Sequence, residues 1–199
     1  DLADYAGTPV ERVLPVRLGL STGLTDLGKF RPALTEAGLV HPITRLSSTY
    51  EASVESWERL PDMDGLNLTL GAHEDAAVLL DHPTLRSSDG EPMPVLAVRE
   101  VGQGRSMALT VDASWRWSFS EAAVGRGNQA YLHFWKNALR WLVGDPSERR
   151  VSVEPSRDNV LLGDTVRLVS RVRDPSYQPL AEESVRLTVI GPDGEREEV

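Results

Sequence analysis

Six consecutive residues, Asp112-Ala113-Ser114-Trp115-Arg116-Trp117, bring together a carboxylate, a guanidinium and two indoles. They follow a β-rich run, and α/β folds open their ligand crevices beyond the ends of strands. With Asp112 and Arg116 on the walls and Trp115 and Trp117 as the floor, such a crevice could stack a sugar ring or clamp a carboxylate. The same residue types also serve packing. Indoles anchor cores and domain interfaces, and Arg116 can snorkel or pair with Asp112. Burial is the commoner explanation of large aromatics, so the packing role is the default.

Metal and nucleophile chemistry find less support. The four histidines are His41, His73, His82 and His133. Zinc needs three or four converging ligands, often with a short spacing between two of them. His73 and His82 flank a short apolar run, with Glu74, Asp75 and Asp81 nearby. Their spacing matches no ligand pattern, and solvated loop residues are the simpler reading. His41 precedes a proline, which favours extended backbone and a local backbone bond, whereas His133 suits a boundary position on a helix. The chain contains no cysteine, which removes disulfides, thiolate metal sites and cysteine catalysis. A Ser–His–Asp set stays open among the many serines and threonines, but no Gly-x-Ser-x-Gly elbow is expected. Gly102-Gln103-Gly104-Arg105 lies between two strands rather than before a helix, so it reads as a hairpin turn and not a phosphate loop. Asn67-Leu68-Thr69 matches a glycosylation sequon, a motif too short to carry weight alone. Asp158, Asp164 and Asp174 could meet at one end of a β-sandwich, but their spacing matches no calcium loop. Neither a catalytic residue nor a metal or other cofactor is expected.

The elements that would hold these groups are unevenly legible. Residues 10–18 (VERVLPVRL) are apolar around Pro15 and suggest an edge strand or extended loop. Glycines and prolines break any long element over 19–42. A helical turn or two is expected at 50–59, capped by Ser53 or Ser56, with Trp57 inward. A short buried strand is expected at 76–80, then a polar loop over 81–92. The run 94–112 predicts two antiparallel strands around Gly102-Gln103-Gly104, at a sheet edge. Residues 128–143 carry Tyr131, Phe134, Trp135, Ala138, Leu139, Trp141 and Leu142 at three- and four-residue spacing, which predicts an amphipathic helix packed on one face of that sheet. Gly144 suits its C-terminal cap, and Pro146 ends the domain. Beyond Arg150 the texture alternates as half-buried antiparallel strands do, with Val151, Val153, Val166, Leu168, Val185, Leu187 and Val189 on one face. Domains are therefore expected at 1–146 and 147–199, the second an incomplete immunoglobulin-like sandwich, because such a fold needs about 100 residues.

A net charge of −9 argues against nucleic acid and anionic membrane surfaces as partners. No apolar run is long enough to span a bilayer, and the first residues lack signal-peptide features. The chain starts without Met, so it reads as a piece of a longer protein, with any membrane anchor outside it.

Four segments carry a family likeness: YAGTPVERVLPV (5–16), HPITRL (41–46), PMPVLAVREVGQGRSMALTVDASWRWSF (92–119) and HFWKNALRWLVGDP (133–146). They resemble bacterial membrane-anchored proteins that join a von Willebrand factor A region to a class I glutamine amidotransferase-like domain, commonly followed by an immunoglobulin-like extension. The resemblance implies an α/β class: the C-terminal part of a flavodoxin-like sheet whose first strands precede Asp1, then a truncated all-β sandwich. Class I amidotransferases use a Cys and a His-x-Glu pair. Neither exists here, so the triad transfers to no position. The leading expectation is a non-catalytic structural or interaction module of a cell-envelope protein, with a protein partner or a second copy of the chain. One alternative is a small-molecule or carbohydrate binder using the Asp112–Trp117 crevice. The other is a hydrolase whose catalytic residues lie upstream.

Overall fold

The computed structural model describes residues 5–19, 25–123, 125, 127–145, 151–157, 161, 163–172, 180, 185–191 and 193–198. The chain divides into two compact units, Asp1–Glu148 and Arg149–Val199. The first mixes helix with small sheets, and every strand pairing among the described residues of either unit is antiparallel.

The first unit opens with α1 (Pro9–Val13), not with an extended run over residues 10–18. Pro9 sits at the start of the helix, where its missing N–H costs nothing. The Glu11 carboxylate then accepts from Gly7 N–H (2.6 Å) and Leu18 N–H (2.9 Å) and folds the flanks around the turn. Extended backbone begins only after Pro15, in β1 (Val16–Arg17). Next come β2 (Thr25–Asp26), β3 (Ala33–Leu34), α2 (Glu36–Val40) and a 3-10 turn at Pro42–Thr44. Gly38 of α2 lies so close to the sheet that a Cβ there would stand 1.9 Å from Leu79 O.

Helix α3 (Tyr50–Arg59) is where the sequence placed it, but Thr49 is its cap, accepting from Ala52 N–H at 3.2 Å. Ser53 and Ser56 are not caps. Ser53 is buried, accepts from Leu46 N–H (2.8 Å) and donates to Thr44 O (3.2 Å). Ser56 bonds back to Ala52 O within the helix. Trp57 points inward as expected, and its Nε1 donates to Thr44 O at 2.7 Å.

After β4 (Leu66–Asn67) and β5 (Gly71–Ala72) comes the main sheet, built on β6 (Ala77–Arg86), β7 (Pro92–Val101) and β8 (Gly104–Leu109), in the order β3-β6-β7-β8. β7 and β8 are the hairpin read from sequence, turning at Gly102 (φ 60°) and Gln103, with β8 at the edge. Residues 93–98 of β7 are all buried, as befits a strand covered on both faces. The short strand and polar loop expected over 76–92 are a misreading. Strand continues through Asp81, His82 and Pro83 to Arg86: β7 pairs with Ala77, Val78, Leu80 and Asp81 and again with Arg86, and the register shift between Asp81 and Arg86 absorbs the broken alternation.

Helices α4 (Trp115–Ala123) and α5 (Gln129–Leu142) pack on each other, and α5 lies against β8. Phe134, Ala138 and Trp141 form its buried stripe. Gly144, at φ 67°, donates to Trp141 O (3.0 Å) and ends the helix. Arg105 of β8 reaches the same place: it donates to Trp141 O at 2.7 Å and lies 5.0 Å over the indole. Pro146 lies outside the described residues.

In the second unit β9 (Val151–Pro155) pairs with β10 (Leu168–Val172), and β11 (Thr188–Ile190) pairs with β12 (Arg196–Glu198). The expected apolar face is covered only in part, with Val166, Val185 and Leu187 half-buried. Val151, Val153, Leu168 and Val189 are exposed, while Ser152 and Glu154 on the other side of β9 are half-buried. Among the described residues these are two separate two-stranded sheets.

Candidate functional site

The Asp112–Trp117 segment is pinned where β8 ends. Thr110 donates its hydroxyl to Pro94 O (2.9 Å), and Asn67 donates to Thr110 O from both backbone and side chain (2.8 and 3.0 Å). Ala113 O and Ser114 O then accept from Arg116 N–H and Trp117 N–H (3.0 and 3.1 Å), so the segment turns directly into α4. On a helix, residues two apart point about 200° from one another.

Trp115 and Trp117 consequently part company and do not floor one crevice. Trp117 is 1% exposed and meets Trp57 and Phe134 edge-on, each at 5.4 Å. Trp115 is 51% exposed and forms an edge-on pair with Phe119, itself 68% exposed, at 5.9 Å. Arg116 lies 5.5 Å over Trp115 and pairs with Asp64 at 2.5 Å rather than with Asp112. Asp112 is exposed, with its Oδ1 3.6 Å from where a Cβ on Gly65 would stand. The result is an aromatic ledge on α4, edged by Arg116 and its partner Asp64. Leu132, Leu139 and Val143 are exposed along neighbouring α5, at i, i+7 and i+11. Asp64 and Phe119 were missed in the sequence. A helical reading of 115–123 would have paired Trp115 with Phe119 at i, i+4.

The histidines do not converge. His41 is extended (φ −74°, ψ 140°), its Nδ1 accepts from Ile43 N–H at 3.3 Å, and its ring lies 5.4 Å edge-on to Trp141. Desolvation and the Arg105 charge push its pKa down to about 4. His82 is buried rather than solvated: its ring tilts on Phe30 at 4.3 Å, and Nδ1 accepts from Leu85 N–H at 2.9 Å. Burial lowers its pKa as well. His133 is exposed, with Nδ1 2.8 Å from Leu46 O. Among the described residues no group of three or more His, Asp and Glu side chains is placed to hold a metal. Asp158 and Asp174 lie outside the described residues.

His73 belongs to a cleft of about 500 Å³ beside α2. Its apolar floor includes Ala37, Ala72, Val78 and Pro92, and Glu36, Glu74, Asp81, Asp89 and Glu91 line the same cleft. Asp89 pairs with Arg17, and its carboxylate, bonded by the Ser87 hydroxyl, stays below its usual range. Asp81 is half-buried, and desolvation raises its pKa. Glu36, Asp89 and Glu91 were not singled out from sequence, because only the sheet brings these distant segments together.

One string does match the serine-elbow pattern G-x-S-x-G: Gly19-Leu20-Ser21-Thr22-Gly23. Residues 20–23 lie outside the described set. The elements on either side are both strands, β1 and β2, whereas the elbow needs a strand-to-helix turn. No helix among the described residues is long and apolar enough to cross a membrane. Set against protein-family models, curated proteins and solved structures, the chain finds no match in any of the three.

Proposed function

We propose that this chain is a non-catalytic interaction module of a bacterial cell-envelope protein, and that the ledge of α4 and α5 is its contact surface. In this reading the first unit is the C-terminal part of a flavodoxin-like, amidotransferase-like domain, with its parallel strands upstream. The second unit contributes strands of an immunoglobulin-like sandwich, and a membrane anchor lies outside this sequence. The carrying observation is the Trp115–Phe119 pair. Two large aromatics stand exposed on a helix that Trp117 fixes in the core. Exposed indoles on rigid elements, with a charged rim, are the residues that dominate protein interfaces. The absence of cysteine supports a non-catalytic role, since the amidotransferase reaction runs through a thiolate.

A photo-crosslinking side chain at position 119 tests the reading in the producing cell. A defined adduct, with a second copy or with one other protein, is expected there and not at the exposed position Glu58. Equal, diffuse labelling at both positions rejects the interface. A carbohydrate-binding reading rests on one specific observation: the exposed Trp115 ring stands beside Arg116 and its partner Asp64, groups that hydrogen-bond sugar hydroxyls. Quenching of tryptophan fluorescence by soluble glycan, lost in Trp115→Ala, distinguishes it from the protein interface.

A further inference from the structure

We propose that the outer edge of β8 pairs with β8 of a second copy of this chain, antiparallel and centred on Met107. This surface is separate from the aromatic ledge and does not depend on it. β8 ends the order β3-β6-β7-β8, and its residues pair with β7 without a register shift. The hairpin closes on Val101 and Gly104, and hydrogen-bonded residues alternate along an antiparallel ladder. Gly104, Ser106 and Ala108 therefore bond to β7, a phase that the Thr110 N–H bond to Val95 O continues (2.9 Å). The N–H and C=O groups of Arg105, Met107 and Leu109 point away from β7. None of these backbone groups has a partner among the described residues.

The opposite edge of the sheet is closed. There β3 pairs with Leu80 and Asp81, while Thr35 donates to Leu79 O (3.2 Å) and Val78 O (2.5 Å). Further along β6, His82 Nδ1 accepts from Thr84 N–H and Leu85 N–H (3.2 and 2.9 Å). β8 has none of the usual guards of an open edge, which are a proline, a bulge or a projecting charge. Its one charged side chain, Arg105, is drawn back onto Glu100 (3.2 Å) and Trp141 O (2.7 Å).

The occupant follows from symmetry and charge. With a two-fold axis at Met107, that residue meets its own copy, and Arg105 meets Leu109 of the second chain. Every outward N–H of one strand then finds an outward C=O of the other, and neither edge keeps an unpaired group. The chain carries a net charge of −9, so two copies repel except where they meet without carboxylates. β8 (GRSMAL) contains none, and no like charges stand opposite one another across the axis. A ladder over residues 105–109 is short, so the dimer forms in a concentration-dependent equilibrium.

Sedimentation equilibrium of the full chain over a concentration series, with amide hydrogen exchange followed by NMR, is the test. A monomer–dimer equilibrium is expected, and the Arg105, Met107 and Leu109 amides should lose their protection on dilution. Met107→Pro removes an N–H that bonds nothing within the chain, so the β7 ladder survives while dimers are lost. Ser106→Glu keeps the test available should Met107→Pro fail to fold. Its carboxylate stands opposite Arg99 within the chain, but two copies of it repel across the axis, so dimers should again be lost. Trp115→Ala should leave the dimer intact. The proposal is overturned if the wild type stays monomeric at every concentration, or if dimers form while those three amides exchange freely. Dimers that persist in Ser106→Glu, or that vanish in Trp115→Ala, overturn it as well.

Discussion

His41 allows the sharpest test of the packing between α5 and the sheet edge. Its neutral ring accepts the Ile43 N–H, stands edge-on to Trp141, and feels the charge of Arg105, which lies over the same indole. Protonation would remove the acceptor and set a second cation beside Arg105. The folded chain therefore holds His41 neutral down to about 4, whereas the unfolded chain protonates it at the ordinary histidine value of 6.5. Because the folded pKa is the lower one, the unfolded state binds the proton first as pH falls. His41 thus contributes full stability above about 6.5 and loses it progressively between 6.5 and about 4, with no further loss below. That gap corresponds to about 3 kcal/mol. The carboxylates of Glu11, Asp75 and Asp89, all held below their ordinary values, also lose stability as pH falls, chiefly at the acid end. A difference between two proteins removes that shared background. His41→Asn keeps a side-chain oxygen for the Ile43 N–H and cannot titrate. Urea unfolding at pH 7, 5.5 and 4.5, followed by tryptophan fluorescence, should show the variant less stable at pH 7 through lost ring packing. The wild type should then lose its advantage on acidification, by most of those about 3 kcal/mol at pH 4.5. Stability curves that stay parallel from pH 7 to 4.5 would refute the reasoning, because they would mean that the ring titrates alike in both states.

Trp117→Ala should cost about 3–5 kcal/mol in denaturant unfolding, as large core aromatics do, while Trp115→Ala should change stability by less than about 1 kcal/mol; equal costs would refute the division of the two indoles between core and ledge. Gly38→Ala should destabilise by about 3 kcal/mol or more, since its methyl would stand 1.9 Å from Leu79 O and rigid backbone must yield; a wild-type melting temperature would disprove that close approach. Purified chain should release no ammonia from glutamine above a buffer control, for want of a thiolate; release abolished by a single substitution in this chain would overturn the non-catalytic assignment.

The parts of the fold that sequence revealed are those written in local periodicity. The β7–β8 hairpin alternates around two glycines, and α5 repeats its aromatics at helical spacing, so neither needed distant partners to be read. The cap of α3 was missed because Ser47, Ser48, Thr49, Ser53 and Ser56 all offer hydroxyls. Only the packed structure shows Ser53 committed to Thr44 O and Leu46 N–H. β6 was cut short because Asp81, His82 and Pro83 break its alternation, and its continuation depends on β7. At the candidate site, Trp115 and Trp117 looked equivalent while they stood in an undefined loop. Once α4 is known to begin at Trp115, a spacing of two residues sends them to opposite sides. The acidic cleft had no local signature at all, since its carboxylates span Glu36 to Glu91 and meet only through sheet pairing.

The latch of Arg105 on the end of α5 has a mechanical consequence. The first unit hands the chain over just beyond Asp145, so any pull transmitted along the backbone from the second unit arrives at this helix terminus. Beside the backbone bonds of the helix end, the load falls on two side-chain contacts, the Arg140–Asp145 pair (2.9 Å) and the Arg105 hydrogen bond to Trp141 O (2.7 Å). Both hold the terminus from the side, and Arg105 is rooted in the edge strand of the main sheet. Tension would therefore be passed into β8 and across its ladder with β7 before it could unwind α5 turn by turn. A domain tethered in this way can carry a stretched neighbour while its own core stays closed.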